Sequence, residues 1–295
     1  MANIIATLSH VKEYLMKQPQ SNQLTKDDER IKWFCQSVSD TLEERTSKQW
    51  FVPRRQTRYY TDNDIFFYHD NRFCKYNGDT LILDKEIVDV ISLTTNNGNT
   101  AISSDNYFLR TADSYNLQPY TRIELSDNTT FNYSTFQKAH AVDGIWVNHD
   151  SPDNMWKLRT TVQDNPLLVS ATTLNVTDAS IFNVQELIRF GDDNTGEFAS
   201  IEAIDVDNNT LTIERGVNGT TAVEQAQSVN IYYFLPRHDA LYAATVWSAF
   251  EYMNKDNAGG SSTNQLISAD GMVLSPIAML PDIVRAFLAR YRQKI

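Results

Sequence analysis

The spacing of apolar residues changes twice along this chain, and these two changes constrain the fold. Near the N-terminus, five residues recur at helical spacing, namely Ile31, Phe34, Cys35, Val38 and Leu42. From Trp50 to about residue 235, short runs rich in Val, Ile, Thr, Tyr and Phe alternate with turns that contain Asn, Asp and Gly. Helical spacing returns at Tyr242, Val246, Ala249, Phe250 and Met253. The pattern predicts helices at both ends of the chain and strands between them.

Three helices follow from this pattern before the C-terminal segment. A Ser9 cap predicts a short helix through about Met16, and residues 25–28 resemble a capping box for a second helix over 27–47. The third covers 237–255. Because neither amphipathic face is stable alone, we expect the second and third helices to pack together. The expected packing residues are Ile31, Phe34, Cys35, Val38, Leu42, Tyr242, Val246 and Phe250.

The middle of the chain is predicted to form many short strands. The first group covers 54–60, 65–68, 80–83, 87–94, 107–110, 121–125 and 142–147, and the second covers 167–170, 173–176, 186–190, 197–205, 210–214 and 229–234. Regular short strands of this kind suggest a small barrel or sandwich in the second group.

The predicted fold class is therefore α+β. We expect a helical base, formed by the N-terminal helices, a helix near 237–255 and a C-terminal helix, that carries a large inserted all-β region. The predicted divisions are 1–50 (helical part of the base), 51–165 (β-rich), 166–235 (small β barrel or sandwich), 236–256 (base helix), 257–275 (flexible linker and β-turn segment) and 276–295 (C-terminal docking helix).

Bulk composition excludes some classes of function. The formal net charge is −11, which argues against wrapping nucleic acid, because phosphate contacts need clustered Lys and Arg. Two cysteines, Cys35 and Cys74, are too few for a disulfide framework, and Cys35 lies in an apolar stripe typical of a buried free thiol. The N-terminal residues contain no basic segment or long apolar core, so we expect no signal peptide and no membrane span.

Candidate chemistry is weak in this sequence. The five histidines, at 10, 69, 140, 149 and 238, have no metal-ligand spacing. Asp205, Asp207 and Asn209 begin like a calcium loop but lack its Gly and Glu, which favours a plain hairpin turn. The carboxylate pairs Asp62–Asp64, Asp150–Asp153 and Asp192–Asp193 leave a glycosidase reading open, and Tyr59, Tyr60, Phe66, Phe67 and Tyr68 leave a sugar-stacking face open. We predict no catalytic residue, metal or cofactor.

The C-terminal segment has a stronger pattern. A linker rich in Gly, Ser and Asn at 256–265 precedes a helix predicted over 280–295. Pro281 and Asp282 suit the start of this helix, and Arg290, Arg292 and Lys294 suit its end. Its apolar stripe is Val284, Phe287, Leu288 and Tyr291. Two alternatives remain: the helix folds back on its own core, or it reaches another subunit.

Several segments in order resemble a known family. They are residues 43–46 before Trp50 and Phe51, 81–90, 106–109, 119–125, 144–146, and 269–271 leading to 280–284. Together they resemble the head–tail connector (adaptor) proteins of tailed bacteriophages, the ring beneath the portal. The stretch 214–220 is similar to part of a phage structural β domain inserted in longer connectors.

The resemblance implies a non-enzymatic structural protein of the virion, located in the neck at the head–tail junction and assembled in the host cytoplasm. It implies a ring of about twelve copies. The ring docks on the portal protein, contacts a downstream neck or tail protein and passes genomic DNA without sequence-specific binding or any membrane contact. The implied portal or subunit interface is Asp282, Val284, Arg285, Phe287, Leu288, Tyr291 and Arg292. The alternatives are another tail or baseplate β protein, or a carbohydrate-binding or carbohydrate-degrading virion protein.

Overall fold

The computed structural model describes residues 3–16, 27–46, 49–61, 64–69, 72–75, 79–111, 120–126, 131, 138–254, 266–267, 273–274 and 280–292. In these ranges the helices are α1 (Leu8–Met16), α2 (Asp28–Arg45), α3 (His238–Met253) and α4 (Asp282–Arg292). The strands are β1 (Arg54–Tyr60), β2 (Ile65–His69), β3 (Arg72–Lys75), β4 (Thr80–Thr95), β5 (Thr100–Ile102), β6 (Tyr107–Thr111), β7 (Tyr120–Leu125), β8 (His140–Trp146), β9 (Trp156–Thr161), β10 (Thr173–Asn175), β11 (Leu187–Phe190), β12 (Phe198–Asp205), β13 (Thr210–Arg215), β14 (Asn230–Phe234), β15 (Leu266–Ile267) and β16 (Val273–Leu274).

The chain divides into two compact units. The β unit contains Gln49–Phe182 and Glu186–Arg237 together with Met1–Ala2, and the helical unit contains Asn3–Lys48, Asn183–Gln185 and His238–Ile295. The sequence places 14 Lys and Arg and 25 Asp and Glu in the β unit, against 12 and 12 in the helical unit. The whole formal charge of −11 therefore belongs to the β unit, and the helical unit is formally neutral.

In the helical unit, α3 contacts α1, α2 and α4. The buried apolar cluster of this unit is formed by Leu8, Val11, Leu15, Ile31, Cys35, Ala249 and Tyr252. Alanines at 240, 243, 244 and 249 of α3 are all fully buried, and such small side chains let neighbouring helices approach closely. Cys35 is a buried free thiol, as predicted, and burial raises its pKa to about 12.

The larger sheet of the β unit is antiparallel and has eight strands. Its main path is β1-β8-β4-β2-β3, with β5 and β7 also paired to β4 and β6 paired to β7. The long strand β4 is therefore the centre of the sheet. Its core contains Leu81, Ile87, Leu93, Ile123 and Trp146, all at most 1% exposed.

The second sheet has six antiparallel strands in the order β10-β13-β12-β11-β14-β9. Its buried cluster includes Leu174, Ile188, Ile201, Leu211 and Ile231, each fully buried. Strand β9 lies before residue 166, so this sheet draws on a segment outside the stretch 166–235 that the sequence suggests for it.

The segment after β13 fastens one part of the β unit to another. The backbone N–H of Arg55, at the start of β1, donates to the Asn218 carbonyl at 2.9 Å. The Asn218 side-chain amide donates to the Pro53 carbonyl at 3.1 Å. Gly219 has φ +83°, and a Cβ atom added to it would lie 2.1 Å from the Arg55 carbonyl oxygen. Only glycine allows the two segments to approach this closely.

The predicted fold class is wrong. It assigned the chain to a helical base that carries an inserted all-β region, but strands dominate the described residues and form the larger unit. Buried apolar clusters of described residues lie in both sheets as well as among the helices. The physical reason is that strand pairing extends further than the short runs indicate. The runs at 80–83 and 87–94, for example, are one continuous strand, because β4 absorbs register shifts instead of ending between them.

Most predicted strands are confirmed within one or two residues at each end, and β1 matches its prediction at both ends. The strand predicted at 167–170 is wrong: this stretch makes only an isolated bridge from Leu167 to Gln225. Strands β3, β5, β9, β15 and β16 are not among the predicted strands. The predicted capping box at 25–28 is also wrong, because it requires Asp28 to be the third residue of the helix and Asp28 is the first residue of α2. Thr25 and Lys26 lie outside the described residues.

His149 is a buried histidine of the β unit whose pKa is lowered. His149 accepts a hydrogen bond at Nδ1 from the Ser151 N–H at 3.0 Å, so Nε2 carries the proton and donates to the Leu235 carbonyl at 2.9 Å. Burial lowers the pKa of His149 below its usual 6.5; Arg237 acts in the same direction, while the Leu235 carbonyl and Asp150 oppose it. The neutral ring is the form that fits this site.

We expect stability to fall on acidification because of this residue. Between the lowered folded pKa and the unfolded value of about 6.5, the unfolded chain binds more protons. The stabilisation is therefore complete above that window and is lost as the pH falls through it. Urea midpoints at pH 8, 7, 6 and 5 should drop more steeply for the native chain than for His149→Gln. Parallel curves for the two chains would show that His149 does not carry this dependence.

Candidate interaction surface on the terminal helix

The terminal helix is shorter than predicted. It spans Asp282–Arg292 rather than 280–295, and residues 293–295 lie outside the described part of the chain. The Pro281 carbonyl accepts the N–H of Arg285 at 3.0 Å, so Pro281 occupies the capping position just before the helix. The negative charge of Asp282, in the first turn, interacts favourably with the positive N-terminal end of the helix dipole.

One face of α4 is buried within the helical unit. Val284, Phe287, Leu288 and Tyr291 are at most 6% exposed, and the rings of Phe287 and Tyr291 lie 4.7 Å apart. The helix contacts α3 and, less extensively, α2. Four of the predicted interface residues are thus in contact with their own subunit, while Asp282 and Arg285 are exposed.

A polar contact fixes the end of α4 to the beginning of α3. The Asp239 carboxylate, in the first turn of α3, accepts from Arg290 Nη1 at 3.2 Å and from the Tyr291 hydroxyl at 3.5 Å. The last turn of α4 therefore lies beside the first turn of α3. Sequence reasoning missed Asp239; the available signal was a carboxylate at a helix start, which usually indicates only a dipole effect.

The opposite face of α4 is exposed. Ile283 is 40% exposed, and the side chains of Arg285 and Arg290 are 55% and 66% exposed. Arg285 pairs with Asp282 one turn away, a surface contact that contributes little to stability. With one Asp and three Arg, α4 has a formal charge of +2.

The apolar contact of α4 is separate from the main cluster of the helical unit. Among the described residues, that cluster draws on α1, α2 and α3 and includes none from α4. The four buried side chains of α4 pack instead where this helix contacts α3 and α2.

The structure brings most of the predicted packing residues of α2 and α3 together. Ile31, Cys35, Val38, Leu42 and Val246 are buried, and Phe34 and Phe250 are half-buried. Tyr242 was also predicted to pack between these helices, but this prediction is wrong, because its side chain is 51% exposed. Its stripe was inferred from large apolar residues, whereas the alanines carry much of the contact surface of α3, so the tyrosine lies outside it.

The connection from α3 to α4 is described only in part. Leu266–Ile267 and Val273–Leu274 form a two-stranded antiparallel pair, β15 and β16. The predicted linker residues 257–265 and the segment 269–271 lie outside the described residues. Along the chain, 28 residues separate Met253 from Asp282.

Several carboxylates that the sequence offers as candidate sites accept hydrogen bonds from other groups of the protein. Asp205 accepts from the Asn208 N–H at 3.1 Å and the Asn208 amide at 2.7 Å, so the calcium-like segment forms the β12–β13 hairpin turn, as predicted. Asp192 accepts from Asn230 and Tyr232, and Asp64 from Thr61; Asp62 lies outside the described residues. Within the described ranges, no three His, Cys, Asp or Glu side chains are grouped to hold a metal ion.

No described helix is long and apolar enough to cross a membrane. Comparison of the chain with protein-family models, with curated proteins and with solved structures finds no match.

Proposed function

We propose that this protein is a non-enzymatic head–tail connector of a tailed bacteriophage. In this proposal, copies of the chain form a ring of about twelve in the neck, dock on the portal protein and continue the DNA channel toward the tail. The proposal rests on the segment order described above and on α4. The helix α4 is the element that engages the portal or a neighbouring copy.

The arrangement of α4 is the observation that supports this role best. It is an amphipathic helix after a 28-residue connection, and it is attached through four apolar side chains and the contact with Asp239. A helix outside the main apolar cluster of its unit can change its neighbour without unfolding that cluster. An element of this kind suits a subunit that joins its partner only during assembly.

The distribution of charge supports the channel part of the proposal. All of the net negative charge lies in the β unit. A wall with an excess of carboxylates repels DNA phosphates, which lets DNA move past without binding. We therefore propose that the β unit, rather than the helical unit, contributes the surface that faces DNA.

Removal of the terminal helix tests the role directly. A chain lacking residues 276–295 should keep its far-ultraviolet circular dichroism apart from the loss of one helix, because the core cluster of α1, α2 and α3 remains. It should no longer be retained by immobilised portal protein of the same phage. Ala289→Ser, on the exposed face of α4, is the control for nonspecific damage. Normal retention of the truncated chain would contradict the docking role.

Localisation in the whole particle separates this function from its rivals. A twelvefold ring of the chain at the neck supports the connector. Threefold or sixfold placement in the tail or baseplate would instead support a tail structural protein. Binding or cleavage of polysaccharide by the isolated chain would support the carbohydrate alternative.

A further inference from the structure

An exposed aliphatic patch lies at one end of the six-stranded sheet. Leu168, Val169 and Val223 are 53%, 51% and 49% exposed. Leu167 and Gln225 form an antiparallel bridge with N–H···O distances of 2.9 and 3.0 Å, which places residues 168–169 beside residues 223–224. We call Leu168, Val169 and Val223 the tip patch. Three neighbouring exposed aliphatic side chains on two adjoining segments are typical of an interaction site rather than of scattered surface residues.

The backbone beneath the tip patch is held firmly from inside. Arg215 donates to the Leu168 carbonyl at 2.9 Å and to the Val223 carbonyl at 2.5 Å. Its guanidinium is paired with Glu197 at 2.5 and 2.6 Å, and the two side chains are only 5% and 0% exposed. The patch is therefore preorganised, so a partner does not have to order it on binding.

The chain segment that carries the tip patch has an excess of carboxylates. Residues 162–236 contain 11 Asp and Glu but only two cationic residues, Arg189 and Arg215. Both arginine side chains are buried, at 3% and 5% exposure. Eight of the carboxylates are exposed, namely Asp178, Asp192, Asp193, Glu202, Asp205, Asp207, Glu214 and Glu224. Glu224 directly follows Val223 of the patch.

This charge distribution restricts what can cover the patch. A symmetric contact between two tip patches would bring Glu224 of each copy toward the same acidic surface, which is unfavourable. An anionic membrane surface is repelled for the same reason. The complementary surface must combine an exposed apolar residue with an excess of exposed cations.

Within this chain, α4 meets both conditions. The described helices α1, α2, α3 and α4 have formal charges of 0, −2, −2 and +2. The exposed residues of α4 include Ile283, Arg285 and Arg290. Strands β1, β3 and β9 also have a net positive charge, but Arg55 and Arg58 of β1 are paired with Asp143 and Asp84, and Arg159 of β9 is paired with the buried Glu186.

We infer that the tip patch of one copy receives the exposed face of α4 from the next copy. Such a contact is head-to-tail, and a repeated head-to-tail contact closes into a ring when its rotation allows. The inference rests on the proposed ring and names the surfaces that form it. The buried face of α4 is not used, so the helix can keep its packing against α3. The exposed pair of Arg285 with Asp282 is weak enough for Arg285 to exchange partners.

Disulfide trapping between two separately purified full-length chains tests the contact. Both chains carry Cys74→Ser, and the buried native Cys35 is kept. One also carries Val223→Cys and the other Ile283→Cys, so a mixed dimer can form only between molecules. Val206→Cys replaces Val223→Cys in the matched control; Val206 is 53% exposed and lies between Asp205 and Asp207.

We expect the mixed disulfide of residues 223 and 283 to form about tenfold faster than that of 206 and 283, and to slow in 1 M salt. Arg285→Glu on the second chain should slow it, and Glu224→Lys on the first should restore the rate. Equal rates for positions 223 and 206, faster trapping of 223 with itself, or absence of the charge-swap rescue would each overturn the inference.

Disulfide trapping and localisation in the whole particle together separate this inference from the proposed function. If trapping is not selective but whole particles show a ring of this chain at the neck, the contact is wrong and the connector role stands. If trapping is selective but the chain lies elsewhere in the particle, the contact stands and the connector role is wrong.

Discussion

Replacing Glu197 with alanine is expected to destabilise the β unit by about 3–5 kcal/mol, which is the usual cost of removing one member of a buried ion pair. The Glu197 carboxylate accepts hydrogen bonds from Arg215, from the N–H groups of Gly216 and Val223, and from the Gln225 amide. Without it, the buried Arg215 guanidinium loses the carboxylate with which it is paired, and two backbone N–H groups lose their acceptor. An effect of this size is a large part of the stability of a typical domain.

Hydrogen exchange is the appropriate measurement, because the chain has two units and a single unfolding free energy would combine them. In Glu197→Ala, protection should fall most at the amides of Gly216, Val223 and Gln225. Glu214→Ala is the matched control: Glu214 is exposed and adjacent to Arg215, so its replacement should change stability by less than about 0.5 kcal/mol. Similar exchange in the two variants would show that the buried pair is not what holds this segment.

Gly219→Ala is expected to separate the segment after β13 from β1. The new methyl group would lie 2.1 Å from the Arg55 carbonyl oxygen, far inside van der Waals contact, and the backbone at φ +83° disfavours any L side chain. Strain of this kind costs about 1–3 kcal/mol before the clash is added. The bond from Arg55 to the Asn218 carbonyl should then be lost, with faster exchange at the Arg55 amide.

Comparison with Gly98→Ala separates the steric clash from the backbone strain. Gly98 has nearly the same backbone, with φ +84°, but an added Cβ atom meets nothing within 4 Å. Both variants contain the backbone strain, and only Gly219→Ala contains the clash. The free energy of local opening, measured by hydrogen exchange at amides near each substitution, should therefore fall further for Gly219→Ala. An equal fall in the two variants would contradict the close approach between Gly219 and Arg55.

Sequence patterns predict which segments form strands better than they predict which strands pair with each other. The run Arg54–Tyr60 is read correctly as a strand because its β-prone residues lie between turn signals. Strand β9 is not found by the same reasoning, because Trp156–Thr161 contains two cations and half-exposed threonines. It forms a strand because it pairs with the edge of β14. Pairing of this kind depends on tertiary context rather than on local propensity.

The helical unit shows a related limit. The predicted stripe of α3 is wrong at both ends, because Tyr242 and Met253 are 51% and 50% exposed. The contact surface of α3 is formed largely by Ala240, Ala243, Ala244 and Ala249, whose small side chains give a weak hydrophobic signal. For α4, the apolar stripe indicates which face is buried but not which molecule buries it. The contact between Asp239 and Arg290 joins residues 51 positions apart, and no short-range pattern could have indicated it.

The central position of β4 has a consequence for synthesis of the chain. One edge of β4 pairs with β8, whose last residue, Trp146, is 51 residues beyond the end of β4 at Thr95. At translation rates of about 5–20 residues per second, that edge stays uncovered for roughly 3–10 s. An open edge rich in Ile, Leu and Val is a template for pairing with other chains. Nascent chains that stall before residue 140 should therefore be the aggregation-prone species, and chaperones should bind the chain mainly during that interval.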